Sequence, residues 1–205
     1  MISPEILSVH YKEYSSQPDS WVNNMAVTKR SIVAHVLSET SFVLQHVPVR
    51  VVVLGASDKR YIAIHKKIFQ DLLGREVDIK TLDLDTHHLD GAEGVIGHDV
   101  TKPFPEAPYD LVFSHELMKF LSADEQKRVV QNSYDALGEG GIAMHIMHEP
   151  SINGTKELRE WQYRVNPDQL LEGAVARKID AKKIIFQSES SVDWLRETTV
   201  LILKK

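Results

Sequence analysis

The sequence predicts an α/β sandwich. Its centre is a mainly parallel seven-stranded sheet with helices on both faces, preceded by a helical cap and closed by a C-terminal antiparallel strand pair. Three observations predict it. Between residues 50 and 148, apolar runs of strand length alternate with helical patterns. Such alternation gives right-handed crossovers and parallel pairing. The runs end abruptly on Gly, Asp or His, the punctuation of strands buried on both faces. Near the C-terminus two apolar runs stand too close together for a full crossover helix, and an antiparallel link needs only a hairpin.

Residues 1–49 read as the helical cap. Ser3-Pro4-Glu5 suits a helix start, with Ser as cap and Pro in the first turn. Ile32, Val33, Val36 and Leu37 recur at helical spacing, with Val43 and Leu44 extending the stripe. Val51–Leu54 is the first strand, stopping at Gly55. Asp58 then opens a helix carrying Ile62, Ile68 and Phe69 and ended by Gly74. Val77–Leu82 is the second strand, Gly94–Gly97 the third and Tyr109–Phe113 the fourth. A helix follows across Ser122–Leu137, then a turn at Gly138–Gly141 and a fifth strand at Ile142–Met147. Residues 149–175, with Trp161 and Tyr163, form a mixed helix or loop excursion. Lys182–Phe186 and Thr198–Leu203 are the closing pair, with room for a brief helix at Val192–Leu195.

The 205 residues fit one domain, divided into a cap (1–49), a cofactor-binding core (50–148) and a substrate-side excursion with the strand pair (149–205). With 24 basic against 29 acidic residues, the net charge of −5 argues against a broad nucleic-acid or anionic-membrane surface. The absence of cysteine removes disulfides, thiolate metal sites and thiol nucleophiles together. No apolar stretch approaches the ~20 residues of a bilayer span, and the N-terminus lacks a basic region followed by an apolar run, so a cytoplasmic protein is expected.

In an open parallel sheet, ligands bind beyond the carboxyl ends of the strands. Gly55-Ala56-Ser57-Asp58 follows the first strand, where backbone amides can meet an anion or polar ligand group, although the dinucleotide pattern G-x-G-x-x-G is absent. Asp83 and Asp85 follow the second strand, and a carboxylate there can accept both hydrogen bonds of a ribose diol; two solvated loop acids are the plainer reading. Asp99 follows the third strand and can accept from an exocyclic amine or cap its own loop. His115-Glu116 leaves the fourth strand. A histidine there is suited to take a proton, with Glu116 orienting it or meeting a substrate amine. His145, inside the fifth strand, reads as a core histidine, and His148-Glu149 as a second catalytic pair. No metal is expected: His87-His88 should diverge, and H-E-x-x-H spacing is missing. Asn153-Gly154-Thr155 matches the glycosylation triplet without an export signal to use it.

These residues resemble the class I, Rossmann-like S-adenosylmethionine-dependent methyltransferases, over roughly residues 28–148 and through the strand pair to 205. Val49–Asp58 is similar to the first-strand motif that holds the methionine part of the cofactor, with Gly55 as its first glycine. Ser57 stands where the family has a second glycine, the chief departure. Asp83, or in competition Asp85, matches the ribose acid; Gly97-His98-Asp99 is similar to the segment that reads the adenine amine. Tyr109–Leu121 looks like the fourth strand and its active-site exit, and Leu137–Ile142 like the turn before the fifth. The resemblance implies S-adenosylmethionine bound by Gly55, Ala56, Ser57, Asp83, Asp99 and Ser114, with His115 as general base and Glu116 assisting.

The resemblance implies methyl transfer to an O, N or C nucleophile of a small molecule or protein side chain. The Asn-Pro-Pro-Tyr signature of amino-group methylation of adenine or glutamine is absent, and the cysteine-dependent route to pyrimidine carbon is excluded. Tyr11, Tyr14, Trp21, Trp161 and Tyr163 are candidates to cover the substrate. A non-catalytic binding or interaction domain of the same architecture is the alternative, motivated by Ser57 and the unsettled ribose acid.

Overall fold

Seven strands form one sheet in the order β3-β2-β1-β4-β5-β7-β6. They are β1 (Val49–Leu54), β2 (Val77–Asp83), β3 (Val95–Gly97), β4 (Tyr109–His115), β5 (Leu137–His148), β6 (Asp180–Gln187) and β7 (Glu197–Lys204). The first five pair in parallel, and β7 lies antiparallel between β5 and β6. The structure is a computed structural model that describes residues 4–152, 158–187 and 197–205. The expected short helix at Val192–Leu195 and the Asn153-Gly154-Thr155 triplet lie outside the described residues.

Side-chain alternation along the strands builds two cores. Val51 and Val53, Leu111 and Phe113, and Ile142, Met144 and Ile146 face one side. There they meet α2 (Asp19–Glu39) and α3 (Arg60–Leu73). Val52 and Leu54, with Val112, Ala143 and Met147, face α4 (Ala123–Asp135) and α6 (Pro167–Ala176) on the other. Each fully buried Val, Leu or Ile contributes roughly 1.5–3 kcal/mol relative to exposure. That is why strands apolar on both faces specify the sheet centre. Among the described residues the two other α-helices are α1 (Pro4–Ser15) and α5 (Glu149–Ile152).

The cap departs from expectation after Glu39, where the helix stops. Residues 40–48 carry no helix, because amides there and at the start of β1 find partners elsewhere: Val43 N–H donates to the Gly140 carbonyl, and Gln45 N–H and Arg50 N–H donate to the buried Asp110 carboxylate. The expected turn at Gly138–Gly141 is instead the start of β5, which begins at Leu137 with a register shift against Tyr109 and Leu111. Gly140 has φ +75, and a Cβ there would sit 2.8 Å from Val43 Cβ. The glycines therefore serve an irregular strand and the close approach of the 40–48 segment. The helix after β4 starts at Ala123 behind a capping box of Ser122 and Glu125. Asp58 lies just before α3, where its Oδ1 accepts from Arg60 N–H at 2.8 Å.

Candidate functional site

The chain order along the sheet reverses between β1 and β4, and a pocket opens beyond their carboxyl ends. Its floor is Gly55, Ala56 and Ser57, Asp83 at the end of β2, and His115 and Glu116 leaving β4. Asp99, Thr101 and His98 close one end. Tyr11, Tyr14 and His10 of α1 and Trp21, Met25 and Lys29 of α2 form the roof.

Asp83 joins the first two loops. Its Oδ2 accepts from Ala56 N–H at 2.8 Å, and its Oδ1 from the Tyr11 hydroxyl at 2.8 Å and Asp85 N–H at 3.2 Å. Burial raises its carboxyl above the ordinary range despite these bonds. Gly55 adopts φ +78, which lets the chain turn between β1 and this carboxylate. Asp85 faces outward and caps His87. His87 is exposed, whereas His88 turns inward, donates from Nε2 to the Ala56 carbonyl at 2.6 Å and stacks on Tyr11 with ring centroids 3.5 Å apart. The two histidines diverge, as adjacency dictates.

Asp99 lines the pocket while its Oδ1 accepts from Thr101 N–H and Oγ1 at 2.9 and 2.7 Å. Burial pushes its carboxyl up, but the Thr101 bonds and Lys102 outweigh that and hold it low. Loop cap and pocket carboxylate thus coincide in one residue. Neighbouring His98 has a buried Nε2 without a hydrogen-bond partner. Ser114 is fully buried, does not line the pocket, and lies 2.8 Å from His145 Nδ1 beneath the sheet. Burial holds that histidine near a pKa of about 4.

His115 Nε2 lies 2.9 Å from His148 Nε2, and His148 Nδ1 lies 2.9 Å from Thr198 Oγ1. Burial first, then the charge of Lys29, lowers His115 well below its usual value, and burial takes His148 to about 4. Both imidazoles are neutral at pH 7. Glu116 has φ 57, a conformation costly for a residue with a side chain. It is held by Lys119 Nζ at 2.6 Å, Ser151 Oγ at 2.8 Å and His148 N–H at 2.7 Å. Burial would raise its carboxyl; Lys119 and His148 keep it below the usual range.

Of the candidate covering aromatics, Tyr11, Tyr14 and Trp21 line the pocket. Trp161 stacks on Phe120 at 5.5 Å behind the wall, and the Tyr163 side chain is largely exposed. Sequence reasoning missed Lys29, Tyr61 and His65, which enter the pocket from α2 and α3. A signal existed. Val22, Met25, Lys29, Ile32, Val33 and Val36 form the buried stripe of α2, so a lysine occupies an apolar position.

No family model matches the chain, and no curated protein does either. Solved structures do. A TehB-like S-adenosylmethionine-dependent methyltransferase from Corynebacterium glutamicum matches at TM-score 0.61 and 18% identity, covering 97% of this chain and 99% of that one. The N-methyltransferase NodS from Bradyrhizobium japonicum, in complex with S-adenosylhomocysteine, matches at 0.61 and 11%, covering 98% and 97%. The fold is that of the class I methyltransferases. An S-adenosylmethionine-dependent methyltransferase from Clostridium acetobutylicum is similar at 0.60 and 10%, covering 88% and 91%. In this methyltransferase fold the pocket occupies the strand-order reversal, where open α/β sheets bind ligands. Among the described residues, no helix is long and apolar enough to cross a membrane, and no three His, Asp or Glu are grouped to hold a metal ion.

Proposed function

We propose that the protein transfers a methyl group from S-adenosylmethionine to an O, N or C nucleophile of a small molecule or protein side chain. The observation that carries this reading is the Asp83 carboxylate, buried at the end of β2, bonded to the loop after β1 and sharing one pocket with Asp99. The pocket fits the cofactor's parts. Asp83 offers acceptors for a ribose diol, Asp99 an acceptor for the adenine amine, and His98 Nε2 a buried polar atom in want of a partner. Gly55, Ala56 and Ser57 present backbone to the methionine portion. Ser114 bonds to His145 on the neighbouring strand and is not part of the pocket lining.

When bound, the cofactor supplies an electrophilic methyl group on a sulfonium, so the protein's task is to place the nucleophile and exclude water. Tyr14, Trp21 and Phe120 close the acceptor side. His115 takes the acceptor's proton. If His148 donates Nδ1–H to Thr198 and His115 donates Nε2–H to His148, Nδ1 of His115 keeps the lone pair that the role requires. Glu116 fixes the backbone between the two histidines through the His148 amide.

Calorimetric titration with S-adenosylmethionine and S-adenosylhomocysteine, with NAD as control, tests the reading. Saturable binding lost in a folded Asp99→Ala variant supports it; no heat and no thermal shift with either ligand sinks it. His115→Ala then tests the base, and an unchanged turnover rate removes it from that role. Two observations favour the second reading, a non-catalytic binding domain. Tyr11 already occupies Asp83 Oδ1, and Ser57 replaces the family's second glycine. Cofactor-free binding of a partner would support that alternative.

A further inference from the structure

Lys29 is only 5% exposed, lies on the pocket wall, and among the described residues meets no carboxylate within ion-pair distance. Its Nζ lies 3.2 Å from His65 Nε2 and 3.7 Å from the centre of the Tyr61 ring. A lysine Nζ donating to Nε2 leaves the His65 proton on Nδ1, which is buried without a partner. The nearby acids are committed: Glu116 to Lys119, and Asp58 to Arg60. A buried ammonium without an anion is expensive, and burial alone lowers Lys29 to about 7. Met25, Val22 and Tyr61 make the surroundings apolar and aromatic.

We infer that Lys29, backed by His65 and Tyr61, is a carboxylate-binding subsite of the pocket. The anion comes either from the acceptor, which is then an apolar or aromatic acid, or from the amino-acid end of the cofactor. Only this choice of source rests on the methyl-transfer reading; the subsite itself does not. A carboxylate on Nζ supplies the missing counter-charge in a desolvated place, where charge-assisted bonds are strongest. Binding therefore takes up a proton. The titratable groups facing Lys29 are His65 and Tyr61 of α3 and His115 of β4, with His148 behind. Burial keeps the three histidines neutral by lowering them and the tyrosine neutral by raising it, so of these groups Lys29 is the one whose charge changes near pH 7. Carboxylate affinity should be full below about pH 7 and fall by up to tenfold per pH unit above it.

The test uses the full chain and three probes: S-adenosylhomocysteine, methylthioadenosine (the same nucleoside and thioether without the carboxylate) and benzoate. Lys29→Met should weaken one carboxylate probe by about thirtyfold or more and leave methylthioadenosine within about twofold. A loss on S-adenosylhomocysteine puts the cofactor's carboxylate at Lys29. A loss of benzoate binding to the S-adenosylhomocysteine-loaded protein, with that ligand's own affinity unchanged, puts the acceptor's there. Either result supports the subsite, and unchanged binding of both overturns it. If S-adenosylhomocysteine does not bind the wild type, the methyl-transfer reading fails. Benzoate on the unloaded protein then decides the subsite alone: binding that Lys29→Met abolishes sustains it, and no binding overturns it. Lys29→Met should melt at or above the wild-type temperature, since it removes a buried cation. Should it misfold, the wild type still decides, because a carboxylate affinity flat from pH 6 to 9 overturns the proposal.

Discussion

The Tyr11 hydroxyl donates to Asp83 Oδ1 at 2.8 Å across 72 residues of sequence, so the first helix rests on the acid that ends β2. Desolvation and the facing carboxylate push the Tyr11 phenol far above its usual value, so it stays protonated and donates to Asp83. The contact closes α1 over the pocket and occupies an oxygen that a ribose diol would use.

Tyr11→Phe removes the stronger of that oxygen's two donors and leaves it the longer bond from Asp85 N–H at 3.2 Å. Its expected effect is S-adenosylhomocysteine binding about threefold to thirtyfold tighter, the range set by one hydrogen bond to a charged group, together with stability lower by about 1–2 kcal/mol. Titration calorimetry and urea unfolding measure the two. Weaker binding would make the hydroxyl part of the ligand site instead.

Arg60 ties the turn between α1 and α2 to α3. It pairs with the buried Asp58 and with Asp19, and donates to the Gln17 carbonyl at 3.0 Å. Burial pushes the Asp58 carboxyl up, but the Arg60 bonds win and hold it low. Because the folded value is depressed, this stability is present above the unfolded pKa and fades as pH falls through the folded one. Arg60→Ala leaves the buried Asp58 without its guanidinium, keeping only the backbone N–H of residue 60, and should cost about 1–3 kcal/mol at pH 7, less than a fully buried pair because Arg60 is 29% exposed. A loss below about 0.5 kcal/mol by urea unfolding would contradict this account.

Burial lowers His10, His145 and His148 to about 4, and holds His65 and His115 well below the usual histidine value. The unfolded chain then binds more protons than the folded one below the unfolded value of ~6.5, so stability must drop as pH falls from there toward 4. Each such histidine adds about 1.4 kcal/mol per pH unit to the slope. Replacing His145 by Leu should flatten the profile by one histidine's share. An unchanged slope in denaturation at pH 6, 5 and 4.5 would exclude His145 from it.

Glu116→Gln removes the counter-charge of Lys119, and both side chains are only 13% exposed. A loss of about 2–4 kcal/mol is expected. Adding Lys119→Met should restore a substantial part, because the penalty lies in the orphaned ammonium. Additive losses in the double-mutant cycle would count against the pairing.

Much of the fold was legible because strand burial on both faces leaves a pattern in the chain. The runs at Val51–Leu54 and Leu111–Phe113, and the antiparallel closing pair, were readable from apolar character and spacing, whereas the place of the last strand beside β5 came only from the family resemblance. Where backbone partners come from afar, spacing misled. The segment after Glu39 carries a helical stripe yet forms no helix, because Gly140 and Asp110 claim its amides. The glycines at the start of β5 read as a turn yet open a strand.

The sequence by itself determined the α/β class, the strand ends that line the pocket, and the absence of cysteine chemistry. Periodicity and composition are local properties, and a strand's exit follows from its own last residue. Tertiary structure put Asp83 rather than Asp85 on the pocket lining, turned Ser114 toward His145, paired His115 with His148 and brought Lys29 to His65. Each of those outcomes depends on which side chain of a distant element arrives at hydrogen-bond distance. Burial then sets the charge each group carries, and no linear pattern encodes that.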